Sequence, residues 1–494
     1  MEERKLLSAL LAEVPHTIVS GSADIPVTGV TSDNRKITGG EVFVCIAGTV
    51  VDGHSFVPQA VAAGASAVVV TKDVAVPEGV TVVRVEDDRK ALALMAKEWF
   101  GRPSESLITI GITGTKGKTT TAYMIYNILN GVGIPCGLIG TVENIIGDRH
   151  ISAAHSTPES IVIQEYMAQM RDAGCKAVVM EVSSQGLKMD RVHGITYDYG
   201  LFTNLEPDHI GGNEHPDFED YRDCKKKLFR MCKKGIFNAD DSHFPEMING
   251  CTCEVVTYGT SESADYRMTE TSLLNEPGKK GVAYRVEGRR NLAVEVDIPG
   301  RFNMFNSLAA VTLGCEMGLD VTKLLAILKN VHVRGRVESV PVSDKFTVLL
   351  DYAHNGMALR SLLSTLREYQ PKRLVCMFGC GGNRAKDRRY DMGEISSKMA
   401  DFTIVTSDNP RFEEPEDIIR DILVGVAKGP GKYVTVPDRR EAIAYALAHA
   451  EAGDCIVIAG KGHEDYQEIR GVKYPMDDRQ MILEEAARLG LCGK

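Results

Sequence analysis

Short apolar runs rich in β-branched residues alternate with helix-like stretches along most of the chain. In the first segment the runs EVFVCIAG, ASAVVVTK and VTVVRVED are bounded by Gly, Pro and Asp, which is typical of strands. The stretch SFVPQAVAAG, between the first two runs, has the apolar spacing of a helix. The pattern predicts a small α/β domain over residues 1–100, and the Gly, Pro and Ser of WFGRPSESL predict a linker after it.

Two further segments repeat this alternation. Residues 101–332 contain LITIGITG, CKAVVMEVSS and YDYGLFTNLEPDHI, and residues 333–494 contain FTVLLDYAHN, RLVCMFGCGGNR, FTIVTSDNPR and DCIVIAGKGHED. Most of these runs end abruptly in polar residues, and ligands of parallel sheets bind at the carboxyl ends of the strands. We therefore predict an α/β protein of three domains. A central parallel sheet is flanked by the small N-terminal domain and by a Rossmann-like C-terminal domain.

The composition narrows the class of protein. The chain has 494 residues and a formal net charge of −10, which argues against a general nucleic-acid binder. Its first residues lack the apolar core of a signal peptide, and no later run has the roughly 18 apolar residues of a membrane span. The 12 cysteines contain no C-x-x-C pair, which argues against a zinc site or a disulfide scaffold and favours a reducing cytoplasm. We expect neither nucleic acid nor a membrane as a partner.

The run LITIGITGTKGKTTT predicts a phosphate-binding loop between a strand and a helix. The strict P-loop pattern has a glycine five positions before Gly117, where Ile112 stands, so the match is imperfect. The physical arrangement still fits, because glycines let backbone N–H groups surround an anion and a helix N-terminus favours negative charge. Lys118 is expected at the β- and γ-phosphates and Thr119 at Mg²⁺. The alternative is a glycine-rich turn without a ligand.

The carboxylate of Glu181 ends the apolar run AVVMEV. It is placed to bind the Mg²⁺ of a nucleotide, as an acid at the end of a neighbouring strand does in phosphate-transfer sites. Taken alone, it is equally well explained as a polar residue where a strand reaches the surface.

Six motifs, taken in order, resemble the Mur ligases of bacterial cell-wall synthesis: TGTKGKTT, EVSSQGL, TNLEPDH, GRFNMFNSLAA, DYAHN and GKGHEDYQ. The resemblance covers essentially the whole chain and is strongest to the branch that adds the third residue of the peptide. It implies a monomeric cytoplasmic, ADP-forming ligase of peptidoglycan synthesis that uses ATP and Mg²⁺. Such an enzyme phosphorylates the D-Glu γ-carboxylate of UDP-MurNAc-L-Ala-D-Glu, and an amine then attacks the acyl phosphate.

The resemblance also implies which residues bind the nucleotide and its metal ions. The ATP residues would be Gly114, Thr115, Lys116, Gly117, Lys118, Thr119, Thr120, Asn306 and Arg336, with Asp351 and His354 in the same cleft. The metal ligands would be Thr119, Glu181, His209 and Lys225, the last as a carbamate. Lys118, His209 and Lys225 would be the catalytic residues.

Each of three assignments has a plainer alternative. His209 is followed by GGNEH, where the family more often continues its D-H-L-D-Y-H pattern, and a lone histidine is commonly a packed or surface residue. Lys225 lies in YRDCKKKLFRMCKK, which by composition is a solvated basic helix face. Asn306 is equally well explained as a helix N-cap before SLAAVTL.

For the UDP-sugar peptide, the resemblance points to two groups of residues. They are Ser32, Asn34, Thr49, Val50 and Val51 near the start, and Ser156, Thr157, Ser183 and Arg191 in the middle segment. The family usually has serine where Asn34 stands, although asparagine also hydrogen-bonds. Arg191 is a suitable partner for a carboxylate or a phosphate.

The tetrad D-N-P-R is the form that the family associates with meso-diaminopimelate. The residues that would bind this amino acid are Arg389, Asp408, Asn409, Pro410, Arg411, Gly460 and Glu464. Diaminopimelate is lysine with one more carboxylate, which a guanidinium grips through two parallel hydrogen bonds, whereas the ammonium of lysine is repelled. Glu464 would receive the distal ammonium. In the alternative, Arg411 is an exposed charge that pairs with the acidic run at residues 413–417.

Three other functions compete with this interpretation. Two are sister ligases, one that adds lysine and one that resembles folylpolyglutamate synthetase, and the UDP-type N-terminal segment argues against the second. The third is a P-loop binding or regulatory protein without ligase activity. The presence of Lys118, Glu181, His209 and Lys225 argues against that function.

Overall fold

The computed structural model describes residues 4–48, 51–212, 214–276 and 279–491. The chain forms two compact units, one of residues 1–266 with 309–320 and the other of residues 267–308 with 321–494. None of the helices in the described ranges has the length and apolar character of a membrane span. The main sheets of the N-terminal, middle and C-terminal parts confirm the predicted α/β class.

The N-terminal part of the first unit is built on a five-stranded sheet. Its elements are β1 (Lys5–Leu6), α1 (Leu7–Leu10), β2 (His16–Ser20), β3 (Pro26–Val27), β4 (Val30–Thr31), β5 (Val42–Val44), α2 (Val57–Ala62), β6 (Ala67–Val70), β7 (Thr81–Val85) and α3 (Asp88–Trp99), with 3₁₀ turns at Asn34–Lys36, Gly53–Phe56 and Pro103–Ser106. The strand order is β2-β7-β6-β5-β4, and β4 to β7 are parallel. Val42 and Val44 face one core and Phe43 the other, because successive strand side chains alternate.

The middle part of the first unit has a larger sheet. Its elements are β8 (Ile108–Thr113), α4 (Lys118–Gly131), β9 (Cys136–Ile139), β10 (Glu143–Ile146), β11 (Arg149–Ser152), α5 (Ser160–Asp172), β12 (Ala177–Glu181), α6 (Ser184–Lys188), β13 (Tyr197–Phe202), α7 (Phe218–Lys226), a 3₁₀ turn (Lys227–Arg230), β14 (Cys232–Asn238), α8 (Phe244–Ile248) and β15 (Glu254–Gly259). The order in this unit is β11-β10-β9-β12-β8-β13-β14-β15. The strands from β9 to β15 in this order are parallel, as predicted, and β10 and β11 are antiparallel additions.

The second unit carries a six-stranded sheet of order β19-β20-β24-β21-β22-β23. The elements from residue 266 onward are β16 (Tyr266–Glu276), β17 (Lys279–Gly288), β18 (Leu292–Val296), α9 (Phe302–Glu316), α10 (Val321–Lys329), β19 (Glu338–Ser339), β20 (Thr347–Asp351), α11 (Gly356–Arg367), β21 (Arg373–Phe378), α12 (Lys386–Met399), β22 (Phe402–Val405), α13 (Pro415–Val426), β23 (Lys432–Thr435), α14 (Arg439–Ala448), β24 (Asp454–Ala459), β25 (Tyr466–Ile469), β26 (Val472–Pro475) and α15 (Asp478–Arg488). The part of α9 from residue 309 onward belongs to the first unit. Strands β20 to β24 are parallel, so the polar loops that follow β20, β21, β22 and β24 leave the same edge of the sheet.

Candidate active site

The phosphate loop connects β8 to α4, which begins at Lys118. Gly114 has φ of +148°, and a Cβ there would lie 2.0 Å from Oγ1 of Thr203, so the position requires glycine. The segment after β13 holds the loop: the N–H of Thr115 donates to the Asn204 carbonyl at 2.9 Å, and the N–H of Lys116 donates to Asn204 Oδ1 at 2.9 Å. The loop is therefore a fixed glycine-rich turn at a helix N-terminus, the geometry expected of an anion site.

Two lysines meet at one carbonyl of this loop. Nζ of Lys118 donates to the Gly114 carbonyl at 2.8 Å, and Nζ of Lys225 donates to the same oxygen at 2.7 Å. Lys225 is only 1% exposed and lies 4.6 Å from the centre of the Tyr221 ring, so the solvated-face interpretation of this residue is wrong. Burial, and then the charge of Lys118, hold the pKa of Lys225 well below its usual value. This environment therefore favours the neutral form of the Lys225 amine.

Glu181 is buried at the end of β12, so the interpretation as a surface residue is also wrong. Its Oε2 accepts from Oγ1 of Thr119 at 3.0 Å, and its Oε1 accepts from the N–H of Thr141 at 2.8 Å. Oγ1 of Thr141 lies 3.0 Å from Glu181 Oε2 and 2.8 Å from Oγ of Ser156. The side-chain atoms of Thr119, Thr141, Ser156 and Glu181 in this group are all oxygen atoms, the ligand atoms that Mg²⁺ prefers. Sequence reasoning did not single out Thr141.

His209 lies in the loop after β13 and is half exposed. Its Nδ1 is 2.8 Å from Oε2 of Glu214, and its ring centre is 6.2 Å from that of Tyr221. The structure therefore brings His209 and Lys225 to the same aromatic ring, although the polar contacts described for His209 are with acidic neighbours. Asn213, within the departure from the family pattern, lies outside the described residues.

His215 is a residue that sequence reasoning missed. It is buried, with Nε2 2.9 Å from Oγ of Ser184 and Nδ1 2.6 Å from Oδ2 of Asp220. Lys188 also reaches Asp220, at 2.8 Å, and these contacts, that of Lys188 first, lower the pKa of Asp220. His215, Asp220 and Cys224 are close enough together for a metal ion, but Lys188 already supplies a positive charge there. His215 instead ties α7, the helix of Lys225, to the start of α6.

The middle-segment residues expected at the UDP substrate form one hydrogen-bonded group. Oγ1 of Thr157 lies 3.0 Å from Oγ of Ser183, which caps α6. Nη1 of Arg191 donates to the Thr157 carbonyl at 2.9 Å, and its Nη2 lies 2.5 Å from Oε1 of Glu159. Ser156 precedes this group and contacts the Glu181 network. The structure thus links the expected substrate residues to the carboxylate expected at the metal.

The N-terminal residues expected at the same substrate lie in loops. Ser32 is exposed after β4, and Asn34 begins a 3₁₀ turn. Val51 is exposed in the loop after β5. Because β4 and β5 are parallel neighbours, both loops leave the same edge of the sheet. Thr49 and Val50 lie outside the described residues.

In the second unit, the loops after β22 and β24 are joined by a buried polar cluster. Nδ2 of Asn409 donates to Oε2 of Glu464 at 2.9 Å. The buried Nζ of Lys461 lies 3.1 Å from the same carboxylate and 3.2 Å from Oδ1 of Asn409. Gly460 has φ of +108°, and a Cβ there would lie 2.9 Å from Oδ2 of Asp408. The structure therefore brings four of the residues expected at diaminopimelate together, and it adds Lys461, which sequence reasoning missed.

Arg411 is held at the edge of this cluster. Its Nε lies 3.1 Å from Oε2 of Glu468, and its Nη1 donates to the Gly382 carbonyl at 2.9 Å. Its backbone is left-handed, with φ of +54°, which costs about 1–3 kcal/mol and is stabilised by a hydrogen bond to the Glu468 carbonyl. The side chain is 24% exposed. Its ion pair is with Glu468 of β25, whereas Glu413 of the acidic run pairs with Arg389.

Arg389 is buried between carboxylates of the protein. Its Nη2 lies 2.7 Å from Oε1 of Glu413, and its Nη1 lies 2.8 Å from Oδ2 of Asp421 in α13. The guanidinium of Arg389 therefore joins α12 to the segment around α13, and the structure does not bring it into the cluster of Asn409 and Glu464.

A second buried arginine, Arg439, lies beneath this site and was not predicted. It makes a bidentate pair with Asp478, at 2.8 and 2.6 Å. Its Nη1 and Nη2 also donate, each at 3.2 Å, to the carbonyls of Ser407 and Ala459. One guanidinium thus holds the carboxyl ends of β22 and β24 in place.

The remaining residues expected at the nucleotide are also in the second unit. Asn306 is buried within α9, which begins at Phe302, so the N-cap interpretation is wrong. Arg336 lies 5.4 Å from the centre of the Tyr352 ring. Asp351 accepts two backbone N–H bonds, and burial raises its pKa. His354 is exposed, with Nδ1 2.9 Å from the Tyr352 carbonyl.

Replacing Asp408 with asparagine is expected to stabilise the folded state of the second unit at neutral and mildly alkaline pH. Burial raises the pKa of the Asp408 carboxyl, despite nearby Lys461 and Arg439. A carboxyl whose pKa is raised on folding makes the folded state less stable as the pH rises from the unfolded value, about 3.9, through the folded one. Asp408→Asn should therefore raise Tm by roughly 2–4 °C near pH 8, and the difference should close towards pH 4. Scanning calorimetry across this range measures the effect, and an unchanged or lower Tm at pH 8 would contradict it.

Family models match three consecutive parts of the chain. A model described as "Mur ligase family, catalytic domain" matches residues 26–100. "Mur ligase middle domain" matches residues 112–314, and "Mur ligase, glutamate ligase domain" matches residues 335–462. Together the three models cover the phosphate loop, the Glu181 network and residues 408–411 and 460–462 of the second unit.

Relatives of known name are similar over nearly the full length. A protein of Caldanaerobacter subterraneus subsp. tengcongensis is 41% identical over 477 residues, 96% of this chain and 98% of the relative. A protein of Clostridium perfringens is 38% identical over 486 residues, 97% and 99% of the two chains. Both are named UDP-N-acetylmuramoyl-L-alanyl-D-glutamate--2,6-diaminopimelate ligase.

Solved structures share the fold. A UDP-N-acetylmuramoyl-L-alanyl-D-glutamate--2,6-diaminopimelate ligase matches with a TM-score of 0.74 at 28% identity, over 99% of this chain and 100% of that one. MurF ligase from Thermotoga maritima, in complex with ADP, matches with a TM-score of 0.56 at 19% identity, over 93% and 97% of the two chains, which shows the fold alone. From its three matched domains, its full-length relatives and its three-part α/β architecture, the chain belongs to the Mur ligase family.

Proposed function

We propose that this chain joins meso-diaminopimelate to the D-Glu γ-carboxylate of UDP-MurNAc-L-Ala-D-Glu in peptidoglycan precursor synthesis. ATP transfers its γ-phosphoryl group to the carboxylate, giving an acyl phosphate and ADP. The amine of the amino acid attacks this carbonyl carbon, and loss of phosphate leaves the amide. The observation that carries the proposal is the guanidinium of Arg411, which Glu468 and the Gly382 carbonyl hold in the same loop as Asn409, the partner of Glu464. Relatives about 40% identical have this activity in their names.

The proposed nucleotide site begins with the phosphate loop. Its backbone amides and the α4 N-terminus would bind the phosphates, with Lys118 neutralising charge on the transferred group. Thr119 and Glu181 offer the oxygen ligands for Mg²⁺, which when bound neutralises phosphate charge. We further propose that Asn306 and Arg336 contribute to nucleotide binding.

We propose that Lys225 acts as a carbamate. Its Nζ is buried, and its lowered pKa favours the neutral amine, the form that adds to carbon dioxide with loss of one proton. The product carries two oxygen atoms in place of an ammonium group, so the carbamate of Lys225 would be an oxygen ligand for a second Mg²⁺. His209 is proposed as a further metal ligand.

Recognition of the amino acid is proposed to rest on opposite charges at its far end. Arg411, whose Nε lies on Glu468 and whose Nη1 donates to the Gly382 carbonyl, would bind the carboxylate at this end of the amino acid. Glu464 would receive the ammonium beside that carboxylate, and Asn409 and Lys461 hold Glu464 in place. Lysine carries the ammonium but has no carboxylate for Arg411.

The proposal extends to the domain boundaries, oligomeric state and cellular location of the protein. We propose domain boundaries near residues 100 and 332, a monomer, and a cytoplasmic location. The eleven cysteines among the described residues are free thiols, which is in keeping with a reducing compartment.

The proposal is tested by phosphate release from purified protein with ATP, Mg²⁺, UDP-MurNAc-L-Ala-D-Glu and a panel of amino acids. We expect turnover with meso-diaminopimelate and kcat/KM lower by at least about 30-fold with L-lysine, from the loss of one charge-assisted contact. Equal turnover with lysine would identify the lysine-adding sister enzyme instead. Nucleotide binding without turnover for any amine would identify a non-catalytic P-loop protein.

A further inference from the structure

Three cysteines meet at the edge of the middle sheet opposite to the phosphate loop. Cys232 is the first residue of β14, and Cys251 and Cys253 immediately precede β15. They therefore lie at the amino ends of parallel strands, whereas the phosphate loop follows the carboxyl end of β8. We term these three residues, Cys232, Cys251 and Cys253, the thiol cluster. Their C-x-C spacing does not match the C-x-x-C pattern for which sequences are usually searched.

Two glycines make room for the sulfur atoms. Gly200 of β13 and Gly235 of β14 are paired in register. A Cβ on Gly200 would lie 2.9 Å from Sγ of Cys232, and a Cβ on Gly235 would lie 2.8 Å from Sγ of Cys253. The two sulfur atoms thus occupy the hollow that these glycines leave on adjacent strands. A Cβ on Gly235 would also lie 2.5 Å from the Phe237 ring, so a larger residue at either glycine would force neighbouring side chains to move.

The thiols are not equivalent. The thiol of Cys253 interacts with the thiols of both Cys232 and Cys251. These contacts, that with Cys232 first, lower the pKa of Cys253 to about 7, and the same interaction raises the pKa of Cys232. Cys253 is partly exposed and Cys232 is buried. The cluster therefore pairs a partly exposed cysteine, whose lowered pKa favours the thiolate, with a buried thiol, the arrangement of an attacking and a resolving cysteine.

Other cysteines of the chain lack this character. Burial raises the pKa of each of several others to about 12: Cys45, Cys376, Cys380 and Cys455. A buried thiol of this kind is inert, because the thiolate is the reactive form.

We propose that the thiol cluster is an oxidative modification site at which hydrogen peroxide closes a disulfide between Cys253 and Cys232. The Cys253 thiolate attacks one peroxide oxygen, the O–O bond breaks, and the released hydroxide takes up a proton. The sulfenic acid formed on Cys253 is then attacked by Cys232, and water leaves with the thiol proton. In sum, two thiols and one hydrogen peroxide give one disulfide and two waters. The new bond ties the start of β14 to the segment before β15.

The test is peptide mass spectrometry of the reduced full-length protein after brief treatment with equimolar hydrogen peroxide near pH 7 and alkylation of the remaining thiols. We expect a Cys232–Cys253 disulfide, formed at least about 10-fold faster than any oxidation of Cys45 or Cys455, from the thiolate fractions. Preferential oxidation of other cysteines, a Cys251–Cys253 disulfide, or a cluster that stays reduced would overturn the proposal. This measurement is made on the unaltered chain, so it does not depend on the folding of a variant.

Two variants separate the roles of the cysteines. Cys251→Ser removes the neighbour that takes no part in the bond and should keep the disulfide. Cys232→Ser removes the resolving thiol, so the sulfenic acid on Cys253 should persist and be trapped by a 1,3-diketone reagent. Loss of the disulfide in Cys251→Ser, or failure to trap the acid in Cys232→Ser, would contradict the assignment.

Discussion

Replacing Arg411 with alanine should raise the KM for meso-diaminopimelate by about 30-fold or more, since a lost charge-assisted contact at a partly buried site costs roughly 2–5 kcal/mol. The KM values for ATP and for the UDP-dipeptide should stay within about twofold, because Arg411 lies in the amino-acid cluster of the second unit. Arg411→Lys should recover only part of the loss, since an ammonium keeps the charge but not the two parallel hydrogen bonds. Steady-state kinetics with each substrate varied in turn measure the effect.

Arg470→Ala is the matched control. Arg470 is 77% exposed and pairs with Glu414 on the surface, so its loss should leave all three KM values unchanged. If Arg411→Ala binds diaminopimelate as well as the unaltered enzyme does, Arg411 does not bind the distal carboxylate. If the variant weakens ATP binding equally, the effect is structural.

Lys225→Gln should lower kcat by about 100-fold or more, the scale of losing one electrostatic stabiliser of the transition state. Glutamine has similar length but cannot form a carbamate, so the site loses two oxygen ligands. Lys226→Gln, a change at the adjacent residue of the same helix, should retain activity because Lys226 is not fully buried.

Labelled carbon dioxide tests the chemistry of Lys225 directly. Incubation with ¹³C-bicarbonate should give one carbamate carbon signal by NMR, and the signal should be missing from Lys225→Gln and present in Lys226→Gln. Full activity of an extensively degassed enzyme, with no carbamate by NMR or mass spectrometry, would refute the role of the carbamate.

The sheets were largely predictable because their strands are contiguous apolar runs. The run at β8 and the four C-terminal runs ending in polar clusters all appear as strands of parallel sheets. The strands β16 to β18 were not predicted. β16, YRMTETSLLNE, leaves much of its length half-buried or exposed, so its polar residues give no apolar run to recognise. Such a strand is specified by pairing with its neighbours and not by its own composition.

The site was predictable where its residues are adjacent in sequence and was missed where contact is long-range. The phosphate loop and the D-N-P-R turn are local motifs. Buried Lys225 donates to the carbonyl of Gly114, which is more than a hundred residues away in the sequence. The sequence of three consecutive lysines gives no sign of this contact and by itself predicts an exposed helix face. Arg439 was missed for the same reason, since its partner Asp478 belongs to a different helix.

The hydroxyl groups around Glu181 form a continuous chain of contacts from Thr119, through Glu181 and Thr141, to Ser156. Its first member belongs to the proposed nucleotide site and its last to the proposed sugar-peptide site. A ligand that reorients one hydroxyl group therefore changes which hydrogen-bond partners are available to the neighbouring group. By thermodynamic linkage, any change that bound nucleotide makes in the dissociation constant of the UDP-dipeptide must equal the change that the dipeptide makes in that of the nucleotide. We expect Thr119 and Thr141 to carry part of this coupling between the two proposed sites.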